Sequence, residues 1–320
     1  MRKRRLAAPT AALLVFTVSA NAEVDAISIR VNTEDADRFV ALFEKSNEIP
    51  DAATLQAGYI DPGTEGLKIF LPGRIEGGDN LARAISENTA AYRRAIDVCL
   101  PIARASSGEL RAVYLALEGL LGGVDLPEIY AVFGAGNSGG TVGPGAQVIG
   151  LEVICRDAAG EDEIKALLRS FYAHETVHTF QPASDRFDEG VDALTLSVIQ
   201  EGVADYVAWL VTGRPLSPER EAWAAPREKE IWKAFEKDRR AIKELTPERQ
   251  YAKGSPLFRW VANVGSPPKG WPGELGYWLG MKIASAYVDA ADDKRAAIKE
   301  LISMTDPDAI IERSGYAARF

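Results

Sequence analysis

A mainly helical α+β fold, with a small sheet packed beside one motif-bearing helix, is what this sequence predicts. Three observations carry that expectation. Apolar residues recur near the helical period through most of the chain. Two long helical segments, about 162–180 and 191–211, follow one another across a short loop. Only three short stretches have strand character, and two of them directly precede the first long helix.

The elements follow in order. Ile27, Ile29 and Val31 alternate with polar neighbours, as in a half-buried strand. Thr33 or Asp35 then caps a helix running through Lys45. Residues 51–80 hold Gly58, Pro62-Gly63, Gly66, Pro72-Gly73 and Gly77-Gly78, and read as turn-rich. Helices are expected over 80–99 and 108–121, the second stopping at Gly122-Gly123. Glu128–Phe133 and Gln147–Cys155 are strand candidates, joined by a glycine-rich connection, Gly134 to Pro144. That connection lacks the Gly-Lys-Ser/Thr ending and the spacing of a phosphate-binding loop. Charged helical segments fill 217–248, a long helix covers about 274–291, and shorter ones cover 293–303 and 306–314. No repeat and no clear linker appears, so residues 23–320 are expected to form one domain.

The leader is a separate matter. Arg2, Lys3, Arg4 and Arg5 precede an apolar stretch, Leu6 to Val18, and Ala20 and Ala22 complete an A-x-A pattern. Residues 1–22 thus read as a signal peptide cleaved before Glu23, which makes the protein exported, to the periplasm or beyond. The competing short membrane anchor falls below the ~20 residues a span requires. No later run reads as apolar enough to span, and no cysteine follows the apolar stretch for lipid attachment. The whole chain of 320 residues has 47% hydrophobic and 26% charged residues, which suits a globular protein. Removing residues 1–22 leaves 33 basic against 46 acidic residues, a net charge of −13. That charge argues against nucleic acid as a partner, and the expected lack of a later spanning run argues against stable membrane insertion after cleavage. The two cysteines, Cys99 and Cys155, are equally compatible with one disulfide or two buried thiols.

The chain has two histidines, both in Phe171-Tyr172-Ala173-His174-Glu175-Thr176-Val177-His178. Positions four apart share a helix face, so His174 and His178 can direct two imidazole nitrogens at one metal ion. Glu175 sits at the edge of that face, where it can take a proton from metal-bound water. A third protein ligand must be a carboxylate, because no histidine remains. Glu201 is the candidate: it lies 23 residues after His178 in a largely apolar helix, where an unpaired carboxylate is costly. Asp205, one turn later on the same face, can fix the tautomer of a ligand histidine. Asp188, Glu189 and Asp192 are rivals that caps and solvent account for. Zinc is the expected cofactor from the ligand types.

The pattern His174-Glu175-x-x-His178, then Glu201 with Asp205 four residues on, resembles the gluzincin branch of zinc metallopeptidases. More narrowly, His174 to Gln181 with Glu201-Gly202-Val203-Ala204-Asp205-Tyr206 is similar to a bacterial family of predicted zinc-dependent proteases of unknown function. Gly276-Tyr277-Trp278-Leu279-Gly280 and Ser314-Gly315-Tyr316 also fit. The resemblance implies a zincin-like metallopeptidase fold, zinc on His174, His178 and Glu201, and Glu175 as general base and acid in hydrolysing a peptide or protein substrate. It also implies a strand lining the cleft, for which residues 147–154 are the candidate, with Asn137 and Thr141 near the mouth. Tyr277 is the expected oxyanion partner, with Tyr206 in reserve. Two other readings stay open: a protein-binding module with a structural zinc in a closed site, and a zinc hydrolase acting on a non-peptide amide such as a cell-wall component.

Overall fold

The computed structural model describes residues 24–182, 190–263 and 265–320. The expected signal peptide, Asp188 and Glu189 lie outside the described residues. The architecture is mainly helical with one small mixed sheet, as the periodicity predicts. Four strands, β1 (Val31–Asn32), β2 (Glu128–Val132), β3 (Gly140–Gly143) and β4 (Ala146–Gly150), run in the order β1-β2-β4-β3. β1 and β4 pair parallel to β2, and β3 pairs antiparallel to β4.

The first helix, α1 (Glu34–Lys45), forms where expected, with Phe39 and Phe43 buried on one face. Their rings join Tyr59, Tyr92 and Phe133 in an aromatic cluster, Phe39 stacking on Phe133 at 4.4 Å. The strand expected over 27–31 shrinks to β1, and Ile27 is exposed. Residues 51–80 are more helical than their glycines suggest: short helices cover Ala52–Leu55, continuing into a wider π turn to Ile60, and Glu65–Phe70, which the expected turn at Pro72-Gly73 ends. The expected helix 80–99 is interrupted at Asn88. The apolar run 147–155 splits, its first part forming β4 and Leu151–Asp157 forming a helix. Continuous apolarity marks burial and does not separate a buried strand from a buried helix.

Cys99 and Cys155 form a disulfide that ties the helical turn Ala95–Cys99 to the Leu151–Asp157 helix. Three long helices then build the other side. The motif helix, Glu161–Phe180, lies against the sheet: Gln147 of β4 donates to the Tyr172 carbonyl at 3.2 Å, and Tyr172 Oη lies 2.7 Å from Ser106 Oγ. The second ligand helix, Ala193–Thr212, is capped by Asp192, whose carboxylate accepts from Thr195 N, and ends at Gly213 in the left-handed region. It is long and apolar enough to cross a membrane, which the sequence reading did not anticipate, yet most of it is buried inside the fold. Its main neighbour is the late helix, Leu275–Ala290. The crossing depends on Gly202 and Gly280, where an added methyl would collide with the backbone of the opposing helix.

Candidate metal centre

The two long helices bring His174, His178 and Glu201 together. Nε2 of His174 and Nε2 of His178 are 3.0 Å apart, and Glu201 Oε2 lies 3.3 and 3.2 Å from them. Ligand atoms held about 2.0–2.1 Å from a tetrahedral ion sit roughly 3.3 Å from one another, so the spacing fits zinc. The other face of each imidazole is already engaged. Nδ1 of His174 lies 2.8 Å from Asp205 Oδ1, and Nδ1 of His178 lies 2.7 Å from Gln181 Oε1. Gln181 is itself held by donating Nε2 to the Gln200 carbonyl at 2.9 Å. With both Nδ1 atoms protonated and donating, two Nε2 lone pairs and a carboxylate face each other, an arrangement that a cation satisfies.

The surrounding carboxylates favour positive charge at these nitrogens, whether proton or metal ion. Burial works to lower the His174 pKa, but the Asp205 and Glu201 carboxylates outweigh it and hold it well above the ordinary value. His178 is likewise raised, burial being overcome by Glu201. Burial raises Glu201, yet the two imidazoles prevail and hold it far below the carboxylate range. Glu175 is buried beside the centre, and burial raises its pKa against the pull of both histidines. Gly140 of β3 lies directly over its carboxylate, and a methyl there would meet the carboxyl end of Glu175. Tyr277 stacks almost parallel on His174, with ring centres 5.8 Å apart, and Arg220 lies over the Tyr277 ring at 5.4 Å. Burial and Glu201 push the Tyr277 hydroxyl well above its usual pKa. Tyr206, the reserve, is buried and lies off the cavity. Asp192 serves as a helix cap.

The centre opens into a cavity of 1290 Å³, lined by the glycine-rich segment from Asn137 to Pro144 on one side and by Arg220, Glu274 and Tyr277 on another. Asn137 and Thr141 do line it. Of the expected wall, residues 147–154, only Val153 reaches it, from the Leu151–Asp157 helix: β4 is a fully buried central strand, and the strand that borders the cavity is β3, in the segment expected to be a loop. Glycines at 139, 140 and 143 hid that strand, since glycine lacks the side chain that gives strands their pattern. The Gly150 N–H donates to the Gly139 carbonyl at 3.0 Å, so Gly140 and Val142 turn their backbone groups away from β4. Ser138 Oγ donates to the Gly140 carbonyl, leaving the Gly140 N–H and both Val142 groups at the free edge.

Glu152 was also missed. Its carboxylate accepts from Gly134 N and Gly136 N, both at 3.0 Å, and anchors the start of the glycine-rich segment. Its signal was legible: it is the one charge in the run Gln147–Cys155 up to Cys155, the same clue that picked out Glu201. Arg220 carried no such signal. Its Nη1 lies 3.7 Å from Asp205 Oδ2, and its Nε donates to the Gly273 carbonyl at 3.0 Å.

Fold and site together define a mainly helical α+β protein with a His-His-Glu cluster opening into a large cleft. Residues 215–318, about a third of the chain, are similar to the family described as gliding motility protein GldB. No curated protein and no solved structure matches the chain. The family match overturns the expected kinship with gluzincin-type zinc metallopeptidases and with the predicted zinc-dependent proteases. The reading as an enzyme, a hydrolase or metalloprotease cleaving peptide bonds, is corrected with it: the matched family is a gliding motility protein and not a peptidase family. The physical reason is plain. H-E-x-x-H specifies where metal ligands point, and that placement is common ground for catalytic and non-catalytic metal sites. The matched segment contains none of His174, Glu175, His178 and Glu201; it supplies Arg220, Glu274 and Tyr277 to the opposite side of the cleft.

Proposed function

We propose that the protein is an exported, envelope-associated binding protein that holds one zinc ion on His174, His178 and Glu201 and takes an extended segment of a partner protein in the adjoining cleft. The observation that carries this reading is the convergence of three ligand atoms, within 4.8 Å of one another, at a cavity bordered by a free strand edge. A free edge offers backbone donors and acceptors to an incoming strand, and a metal ion with three protein ligands keeps a position for a ligand oxygen. Asp205 and Gln181 orient the two histidines, Glu175 accepts a hydrogen bond from whatever occupies the open position, and Tyr277 shields His174 from water. The similarity of residues 215–318 to a gliding motility protein supports an envelope location and a protein partner. A zincin-like arrangement, the sheet edge beside the ligand helix, is the finer fold reading this placement supports. One hydrophobic core running from Ala26 to Tyr316 supports a single domain after the signal peptide.

Zinc titration of the purified chain tests the reading, with Glu201→Ala as the control. The expected result is one zinc per chain, lost in the variant, with binding of a displayed peptide library that depends on the metal. Absence of uptake when zinc is supplied would refute it.

A further inference from the structure

We propose that Arg74 and the metal centre together form a subsite for a carboxylate on the ligand of the cleft. The arginine half stands on Arg74 alone; the bridging half rests on the metal reading above. Arg74 lines the cavity from the turn Leu71–Ile75, where extended Pro72 and left-handed Gly73 break the helix. Asn137 Nδ2 approaches the Gly73 carbonyl at 3.5 Å, which places this turn beside the glycine-rich wall.

Arg74 is half-buried and makes neither hydrogen bond nor ion pair among the described residues. Every other half-buried arginine there donates to a carboxylate or a carbonyl: Arg38, Arg93, Arg111, Arg220, Arg239 and Arg259. Scarcity of acids does not explain the exception, because the chain has 46 of them. Arg74 attracts the Glu175 carboxylate without a direct bond, so its fork meets only water in the cavity, which a ligand carboxylate would replace with charge-assisted hydrogen bonds. Its planar fork matches the two oxygens of a carboxylate, which is why arginine recurs in carboxylate recognition. A metal ion in the same cavity gives that carboxylate a second point of attachment.

The test follows arginine Nε–Hε resonances by NMR in the ¹⁵N-labelled chain supplied with zinc, titrated with sodium acetate at constant ionic strength. Arg74→Lys assigns the Arg74 signal, and exposed Arg169, assigned the same way, is the internal reference. The Arg74 signal is expected to saturate at acetate concentrations at least tenfold below those that move Arg169. In Glu201→Ala the midpoint rises. Equal movement of the two arginines overturns the subsite, and saturation by phosphate but not acetate overturns the carboxylate assignment. Zinc content is measured on the same samples. Arg74 saturation in a chain that takes up no zinc supports the arginine half while overturning the bridge and the metal reading.

Discussion

Asp205 Oδ1 lies 2.8 Å from Nδ1 of His174, and the two residues come from different helices. The contact fixes both the ring orientation and the tautomer, leaving Nε2 bare toward His178 and Glu201. Asp205→Asn keeps the shape but offers a neutral acceptor. Zinc affinity is expected to fall about 10–100-fold, with the fold retained. Competition against a chelating dye measures this, and an affinity equal to that of the unaltered chain would remove Asp205 from the centre.

The approach of the second ligand helix to the late helix gives the next expectation. A methyl on Gly202 meets the backbone at Gly280, which cannot swing aside as a side chain does. Gly202→Ala is expected to cost about 1–3 kcal/mol, the usual range for overpacking, and to weaken zinc binding because Glu201 is the adjacent residue. At Gly140 the obstacle is the carboxyl end of Glu175. Gly140→Ala is therefore expected to cost less and to displace Glu175 into the cleft. Urea midpoints of the two variants compare these costs directly, and the argument fails if Gly140→Ala is the more damaging.

How far the sequence revealed all this depended on what each side chain had to signal. His174, His178 and Glu201 were legible because spacing along helices translates directly into direction, and because a lone carboxylate in an apolar helix demands a partner. The helices Ala193–Thr212, Leu275–Ala290, Lys294–Ile302 and Pro307–Arg313 lie within two residues of their expected bounds, because Asp192, Asp293 and Asp306 cap three of them and Gly213 stops the first. Within residues 51–80 the turns at Pro62-Gly63, Pro72-Gly73 and Gly77 were legible, but the helices were not, because Gly58 and Gly66 pack inside them, Gly66 against the Tyr130 ring, where glycine serves closeness and not turning. Arg74 and Arg220 stayed invisible: an arginine in a loop or a charged helix carries no pattern, and only the folded chain shows what lies beside it.

The disulfide is a third point of control. Cys99 and Cys155 are 56 residues apart and join the helical bundle around Tyr92 to the helix bearing Glu152. Closing a loop of that length stabilises a domain by about 2–4 kcal/mol, chiefly through the unfolded chain. Reduction, or Cys99→Ala with Cys155→Ala, is expected to lower the urea midpoint by a corresponding amount. A midpoint indifferent to reductant would show that the bridge does not constrain the unfolded chain.

Glu152 gives stability a pH dependence of definite sign. Its side chain is buried, and burial raises its pKa above the ordinary 4.5 despite the two glycine N–H groups it accepts from. A carboxyl whose folded pKa exceeds its unfolded one adds stability that is fully present below 4.5 and is lost as pH rises through the folded value. Glutamine at this position does not titrate. It keeps one acceptor oxygen but sets an amide N–H₂ against the second glycine N–H, so Glu152→Gln is expected to be less stable at every pH, by about 1–3 kcal/mol. The gap between the two chains should be widest near pH 4 and narrow toward pH 8, because only the natural side chain loses stability over that interval. Urea midpoints at the two pH values decide the matter. A gap that widens toward pH 8 would mean that the Gly134 and Gly136 bonds outweigh burial, and that the glycine-rich wall of the cleft is held by an ionised carboxylate at no electrostatic cost.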